Sequence, residues 1–349
     1  VLRRAGRCQG INDANNTYLF TSQFSHDKAQ TANIIMKQLA FPEFFEKSKC
    51  ILGEGAVIER LRRSSDLELD PHIVNSAFIY QPEKRAALSR IYRQYLDIGH
   101  KYNLPLFLST PTWRASRERI QNAGFEKKDV NADNFRFFDE MRQSYGAYAH
   151  KIVICGLMSC RGDAYNQAEA LSTKDAHDFH SWQADRLAEA GVDLLLAATL
   201  PALSEALGLA TALAATAKPY IISFVFRPTG TLLDGTPLED AISIIDDEVD
   251  PKPLAFMANC THVSIFKSAM LHDTHSSSTV RQRVVGLLAN TAALEPEELN
   301  DSEELVEEDP QVFGKAVGDL HDELGMKILG GCCGTDDRHI DNLAKRLVS

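Results

Sequence analysis

Two adjacent cysteines, Cys332 and Cys333, stand between glycines in Ile328-Leu329-Gly330-Gly331-Cys332-Cys333-Gly334-Thr335, at the end of a short apolar run. A structural cysteine behaves as a small hydrophobe and needs no special neighbours. Flanking glycines let the backbone turn tightly and approach another group closely, and paired thiols aimed at one object suit a soft ion such as zinc. The plain alternative is two core cysteines in a glycine-rich turn. A third thiol, Cys260, closes another apolar run in Met257-Ala258-Asn259-Cys260-Thr261. Three thiolates on zinc leave one tetrahedral position open for water or substrate, as catalytic sites do, whereas structural sites are closed by four protein ligands. Cys8, Cys50 and Cys155 offer no convincing fourth ligand, and Cys160 stays open as one.

These thiols are far apart in the chain, so the elements between them must bring them together. Apolar runs bounded by turn residues predict strands at Cys50–Val57, Leu104–Ser109, Lys151–Leu157, Asp193–Ala198, Tyr220–Phe226, Leu254–Asn259, Val284–Leu288 and Lys327–Leu329. Amphipathic segments such as Lys84–Lys101, Lys174–Ala190, Ala202–Ala215, Leu238–Asp247 and Gln311–Leu324 separate them, and His339–Val348 follows the last. Eight βα units predict an α/β fold of the (β/α)8 TIM barrel type rather than an open sheet. Functional residues of such barrels gather at the C-terminal ends of the strands, where Cys160, Cys260, Cys332 and Cys333 all fall. Residues 1–46 are expected to form an N-terminal extension, an arm over the barrel floor or a neighbouring subunit, with the barrel at 47–349. The arm includes the amphipathic stretch Lys28–Phe45. His72–Tyr80 also reads as strand-like and is assigned to the first βα loop.

The chain has 349 residues, 44% of them hydrophobic, which suffices for one large core. Its formal charge of -11, with an acidic cluster at Glu295–Asp309, argues against nucleic acid and anionic membrane as partners. No apolar stretch approaches the roughly 18 residues of a membrane span. Seven cysteines, an odd and sparse set, point to a reducing compartment. Arg3, Arg4 and Arg7 precede the first acid, Asp13, a weak leader-like bias. A soluble cytoplasmic protein is the expectation, with a homo-oligomer left open.

Asn259-Cys260 after one strand and Gly330-Gly331-Cys332-Cys333-Gly334-Thr335 after another resemble the zinc-binding signature of the homocysteine S-methyltransferase family, which includes betaine-homocysteine methyltransferase. Other stretches agree: Leu52-Gly53-Glu54-Gly55-Ala56 at strand 1, Thr110-Pro111-Thr112-Trp113-Arg114-Ala115-Ser116 after strand 2, Ile222-Ser223-Phe224 in strand 5, and Ala289-Asn290-Thr291 at the end of strand 7. The resemblance implies Zn2+ on Cys260, Cys332 and Cys333, and methyl transfer to the thiol of homocysteine, giving methionine. Only a thiolate attacks, and a free thiol near pKa 8.5 is mostly protonated at neutral pH. Three cysteinates on a divalent ion leave a net charge of about -1, so a fourth, substrate thiolate stays electron-rich.

By this resemblance Glu54, Gly55, Thr112, Trp113, Ser223 and Asn259 surround the substrate. Glu54 stands where the family usually has Asp to hold the amino-acid end of homocysteine. A second acid is expected at the end of strand 4, where this chain has Ala198. An alanine cannot pair with an ammonium group, so either Asp163 compensates or the acceptor is a different thiol. The donor carries an activated methyl on a sulfonium or quaternary ammonium, and Trp113, Tyr165, Phe224 and Phe226 are candidates to face that cation. No cobalamin-binding or glycine-rich S-adenosylmethionine fingerprint is visible, so the donor is expected to be a free small molecule. His262, His272 and His275 are read as loop residues. A zinc-binding or redox-sensing protein without catalysis is the alternative from another class.

Overall fold

The computed structural model describes residues 40–64, 67–272, 278–294 and 308–349. Eight strands pair in parallel in chain order and close on themselves: β1 Ile51–Gly53, β2 Leu106–Ser109, β3 Ile152–Ser159, β4 Leu194–Leu200, β5 Tyr220–Phe224, β6 Ala255–His262, β7 Val284–Asn290 and β8 Ile328–Gly331. Closure comes from Ile51 opposite Ile328 and Leu52 opposite Leu329. The fold is the expected (β/α)8 TIM barrel.

Two apolar clusters explain why the strands read as continuous apolar runs. Ile51, Phe107, Val153, Leu194, Ile221, Met257 and Ile328 belong to one, and their chain neighbours Leu52, Leu106, Ile152, Leu195, Ile222 and Leu329 to another, larger one. Alternate residues of a strand point to opposite faces, so the smaller cluster fills the ring and the larger lies under the helices. Strands buried on both faces lose the polar alternation of half-exposed ones. Helix Phe41–Lys47 adds Phe41 and Phe44 to the inner cluster. Lys327, just before β8, donates from Nζ to the Phe45 carbonyl at 2.7 Å, which places this helix at the floor. The expected boundary at 46/47 falls within it; residues 1–39 of the predicted arm lie outside the described residues.

Five of the surrounding helices start on side-chain caps, with Ser116, Asp129, Ser172, Asp309 and Asp336 each accepting a first-turn N–H. Among the described residues no helix is long and apolar enough to cross a membrane. His72–Tyr80 is not a strand. The Asp70 carboxylate accepts the N–H groups of His72 and Ile73, Val74 takes a φ of 56°, and Phe78–Tyr80 forms a turn of 3-10 helix. A side chain bonding to the backbone two and three residues ahead competes with strand formation.

Candidate metal centre

Cys260 reaches the centre through an irregularity in β6. Asn259 pairs with Leu288 and Thr261 with Ala289, and the register shifts between them. Cys260 is therefore the extra residue of a bulge, with φ 52°, and a bulge re-aims the side chain it carries. β4 repeats the device: its register shifts between Ala197 and Leu200, where Thr199 has φ 59°. A left-handed backbone costs about 1–3 kcal/mol in residues other than glycine and persists only where neighbours impose it. Here the neighbour is Asn259. Its Oδ1 accepts from the Thr199 N–H at 2.8 Å and the Ser223 hydroxyl at 2.7 Å, and its Nδ2 donates to Thr199 Oγ1 at 2.6 Å. One amide thus locks the ends of β4, β5 and β6. Asn259→Ala is expected to lower stability by about 2 kcal/mol and metal affinity about tenfold, readable by thermal melting and chelator competition.

Cys332 and Cys333 sit in a turn held from three sides. Cys332 N–H donates to Ala289 O at 2.7 Å, and Thr291 N–H donates to Cys333 O at 3.1 Å, both at the end of β7. Gly331 N–H donates to Glu54 O at 2.8 Å, and the Thr335 hydroxyl donates to Cys332 O at 2.7 Å while accepting the Ala56 N–H at 3.0 Å. Gly334, at φ 84°, donates to the Glu59 carboxylate. A Cβ on Gly334 would lie 1.7 Å from Thr291 Oγ1, and one on Gly331 2.3 Å from Thr335 Oγ1. Space therefore requires glycine at both positions, and at Gly334 the left-handed φ requires it as well.

The result is a convergence of Cys260, Cys332 and Cys333, whose sulfurs all lie within 4.8 Å of one another, Cys260 and Cys332 at 2.8 Å. Zinc–thiolate bonds of about 2.3 Å put tetrahedral ligands about 3.8 Å apart, so small side-chain rotations would fit the three to one ion. Cys260 is held well below the usual thiol range by hydrogen bonds from Cys332 and Cys333, reinforced by the Tyr165 hydroxyl. Cys332 and Cys333 are raised in turn, chiefly by their bonds to Cys260. Three adjacent thiols of which one gives up its proton first are an electron-rich donor set made for a soft cation.

No fourth His, Cys, Asp or Glu joins the group among the described residues. Cys160 is buried apart, 3.7 Å from Gly162 O, and burial pushes its thiol up to about 11. Cys155 bonds Ser109 Oγ inside the barrel. His262 caps helix Val263–Leu271 by accepting the Ser264 N–H. His272 lies exposed at that helix's end, and Cys8 and His275 lie outside the described residues.

A cavity of about 650 Å³ opens from the thiols across the barrel mouth. Glu54, Gly55, Trp113, Asp163, Ala198 and Asn259 line it. Thr112 and Ser223 do not: the Thr112 hydroxyl donates to Leu157 O, and Ser223 acts only through Asn259. Glu54 is 9% exposed and accepts the Ser109 N–H at 3.1 Å, and burial, with no cation beside it among the described residues to offset it, pushes its carboxyl up to about 8. Asp163 accepts the Tyr165 N–H in a turn. Of the aromatic candidates, Trp113 and Tyr165 line the cavity, whereas Phe224 stacks on Phe256 and Phe226 on Phe266 in the core. Asn290, which the sequence marks as part of the resembling stretch at the end of β7 but not as a site residue, also reaches the cavity. Its side chain is 1% exposed, and neither amide atom has a partner among the described residues, although it lines the cavity.

The family profile described as homocysteine S-methyltransferase matches residues 51–347. This chain belongs to the homocysteine S-methyltransferase family. The span matching the family holds the three thiols and the whole ring of strands. Among its relatives, the homocysteine S-methyltransferase of Escherichia coli (strain K12) is 28% identical over 209 residues, 58% of this chain and 60% of that protein. Homocysteine S-methyltransferase YbgG of Bacillus subtilis (strain 168) is 27% identical over 184 residues, 52% and 56% of the two chains. The chain thus spans little more than half the length of these two relatives in the matched stretch. Betaine--homocysteine S-methyltransferase 1 of Bos taurus is 22% identical over 325 residues, 88% of this chain and 74% of that protein. The same fold occurs in the metallated form of the homocysteine methyltransferase MmuM from Escherichia coli, with a TM-score of 0.68 at 20% identity, covering 87% of this chain and 98% of that one.

Proposed function

We propose that this protein is a zinc-dependent methyltransferase that moves a methyl group from a small sulfonium or quaternary ammonium donor to the thiol of homocysteine, giving methionine. The observation that carries the reading is the convergence of three thiols, with no fourth protein ligand among the described residues, on the wall of a cavity large enough for two small molecules. Cys260, Cys332 and Cys333 would hold the zinc, and the chemistry it would supply is activation of a substrate thiol to its thiolate form. The substrate sulfur then bonds to the methyl carbon as the donor's onium bond breaks, and the donor leaves neutral with that electron pair.

The chain's own part is placement. Asn259 fixes the direction of Cys260, and the Gly331–Thr335 turn fixes the other two thiols. Glu54, with no cation beside it among the described residues, offers a carboxylate to the substrate ammonium. Trp113 and Tyr165, which line the cavity, present aromatic surface to the donor. The free thiols suit a reducing compartment such as the cytoplasm.

One observation favours a second acceptor. Ala198 faces the cavity with no polar group, and its neighbour Thr199 is committed to Asn259, so the strand 4 side offers nothing to an ammonium. Purified zinc-loaded protein should be assayed with a donor panel against homocysteine and thiols lacking its amino group. Methionine formation at a kcat/KM at least about tenfold above the other thiols supports homocysteine; the reverse order assigns another acceptor, and turnover with none removes the methyltransferase reading.

A further inference from the structure

A buried carboxylate stands behind the loop 160–172 that follows β3. Glu205, in the first turn of helix Leu203–Ala215, is 0% exposed and does not line the cavity. An ionised group at that depth is costly unless hydrogen bonds satisfy it. Its Oε1 accepts the Arg161 N–H at 2.7 Å and lies 3.0 Å from His180 Nε2, and its Oε2 accepts the Leu171 N–H at 3.2 Å. Burial works to raise its carboxyl, and the bonds to His180 and to the two N–H groups outweigh it, so Glu205 stays below its ordinary value. Arg161 and Leu171 are the two ends of the loop, and one carboxylate thus closes its neck. The neck carbonyls are bound elsewhere: Arg161 O accepts from Arg114 at 2.8 Å and Arg119 at 3.1 Å, and Leu171 O from the Ser204 hydroxyl at 2.9 Å.

The same loop reaches the thiols. Inside it the Glu169 carboxylate accepts the Asp163 N–H at 2.9 Å, and Asp163 Oδ1 accepts the Tyr165 N–H at 3.0 Å. Residues 166–169 are exposed, whereas Ala164 is buried and Tyr165 half-buried. Tyr165 turns inward onto the cluster of Val225, Leu233 and Cys260, and its hydroxyl donates to the Cys260 sulfur.

We propose that Tyr165 shields the Cys260 thiolate from the methyl donor, and that Glu205, paired with His180, is the positioning residue that keeps Tyr165 in place. The inference rests on the methyltransferase reading, since only a protein that binds a methyl donor beside its own thiolates needs such a shield. A thiolate is a nucleophile whether it belongs to substrate or protein. A fourth tetrahedral sulfur lies about 3.8 Å from each of the other three, so a methyl group brought to the acceptor also comes close to Cys260. Attack by Cys260 would form an S–CH3 bond as the onium bond breaks and the donor leaves neutral with that electron pair, and the thioether left behind carries no charge to hold a metal. A hydrogen bond donated to the sulfur stabilises the thiolate and so lowers its nucleophilicity.

The test exposes zinc-loaded protein to methyl iodide without homocysteine and follows the initial methylation of each cysteine by peptide mass spectrometry. Tyr165→Phe should raise the rate at Cys260 about tenfold, with zinc released in step, while Cys332 and Cys333 change less than about twofold. Glu205→Gln should raise the Cys260 rate about threefold to tenfold in the wild-type background and add nothing to Tyr165→Phe, because it acts through that hydroxyl. Glu205→Asp keeps the charge beside His180 but is too short to span both N–H groups, and takes its place in the cycle if Glu205→Gln does not fold. An unchanged Cys260 rate in Tyr165→Phe overturns the shield. Equal effects of Glu205→Gln in both backgrounds overturn its positioning role and make it a packing residue. Methyl iodide needs no donor site, so a shielded Cys260 in a protein that turns over no onium donor removes only the methyltransferase reading.

Discussion

Cys260→Ala should lose tight zinc binding and, with it, methyl transfer. Zinc bound by four protein ligands is worth about 10–16 kcal/mol, so one ligand in four carries roughly 3 kcal/mol, about a hundredfold in affinity. The same loss is expected for Cys332→Ala and Cys333→Ala. Cys160 is the internal control, since it sits apart from the three sulfurs and Cys160→Ala should keep full zinc content. Chelator competition on the four variants checks this. Full zinc retention in any of the first three would break the three-thiolate centre.

The second large effect concerns Glu54. Its carboxyl, raised to about 8 by burial, is mostly protonated in the free protein at neutral pH and must ionise to pair with an ammonium. Acceptor affinity should therefore rise with pH up to about 8 and level off above it. Glu54→Gln should raise the homocysteine KM about tenfold to a hundredfold, the worth of a charged hydrogen bond, and flatten that pH dependence. The effect on folding has the opposite sign. A carboxyl whose folded pKa lies above its unfolded value of 4.5 favours the fold at low pH, and that stability is lost as pH rises from about 4.5 to about 8. At pH 7 the cost is about 3 kcal/mol at most, so Glu54→Gln should melt higher than the wild type while binding substrate worse. A variant that melts lower and keeps its KM would make Glu54 a packing residue.

The barrel was legible because parallel strands buried on both faces leave eight apolar runs, and the thiols because cysteines between glycines have few structural uses. What the sequence hid depends on side-chain direction at the strand ends. Cys260 and Thr199 face where they do because each occupies a bulge, and no local pattern announces an extra residue in a strand. The same uncertainty of direction made Thr112 and Ser223 look like cavity residues, when one bonds Leu157 O and the other Asn259. Phe224 and Phe226 belong to the core for a related reason: an aromatic near a strand end faces either the mouth or the helices, and register decides which. Asp70, by capping two backbone N–H groups, turned an apparent strand into a turn.

The central claim is an open three-thiolate zinc site that takes a substrate thiol as its fourth ligand. Zinc-edge X-ray absorption of the stoichiometrically loaded protein, before and after homocysteine, tests it most directly. The account predicts three sulfurs and one light atom around zinc at about 2.3 Å and 2.0–2.2 Å, changing to four sulfurs when homocysteine is added. A spectrum that homocysteine leaves unchanged, or four sulfurs from the outset, would contradict it.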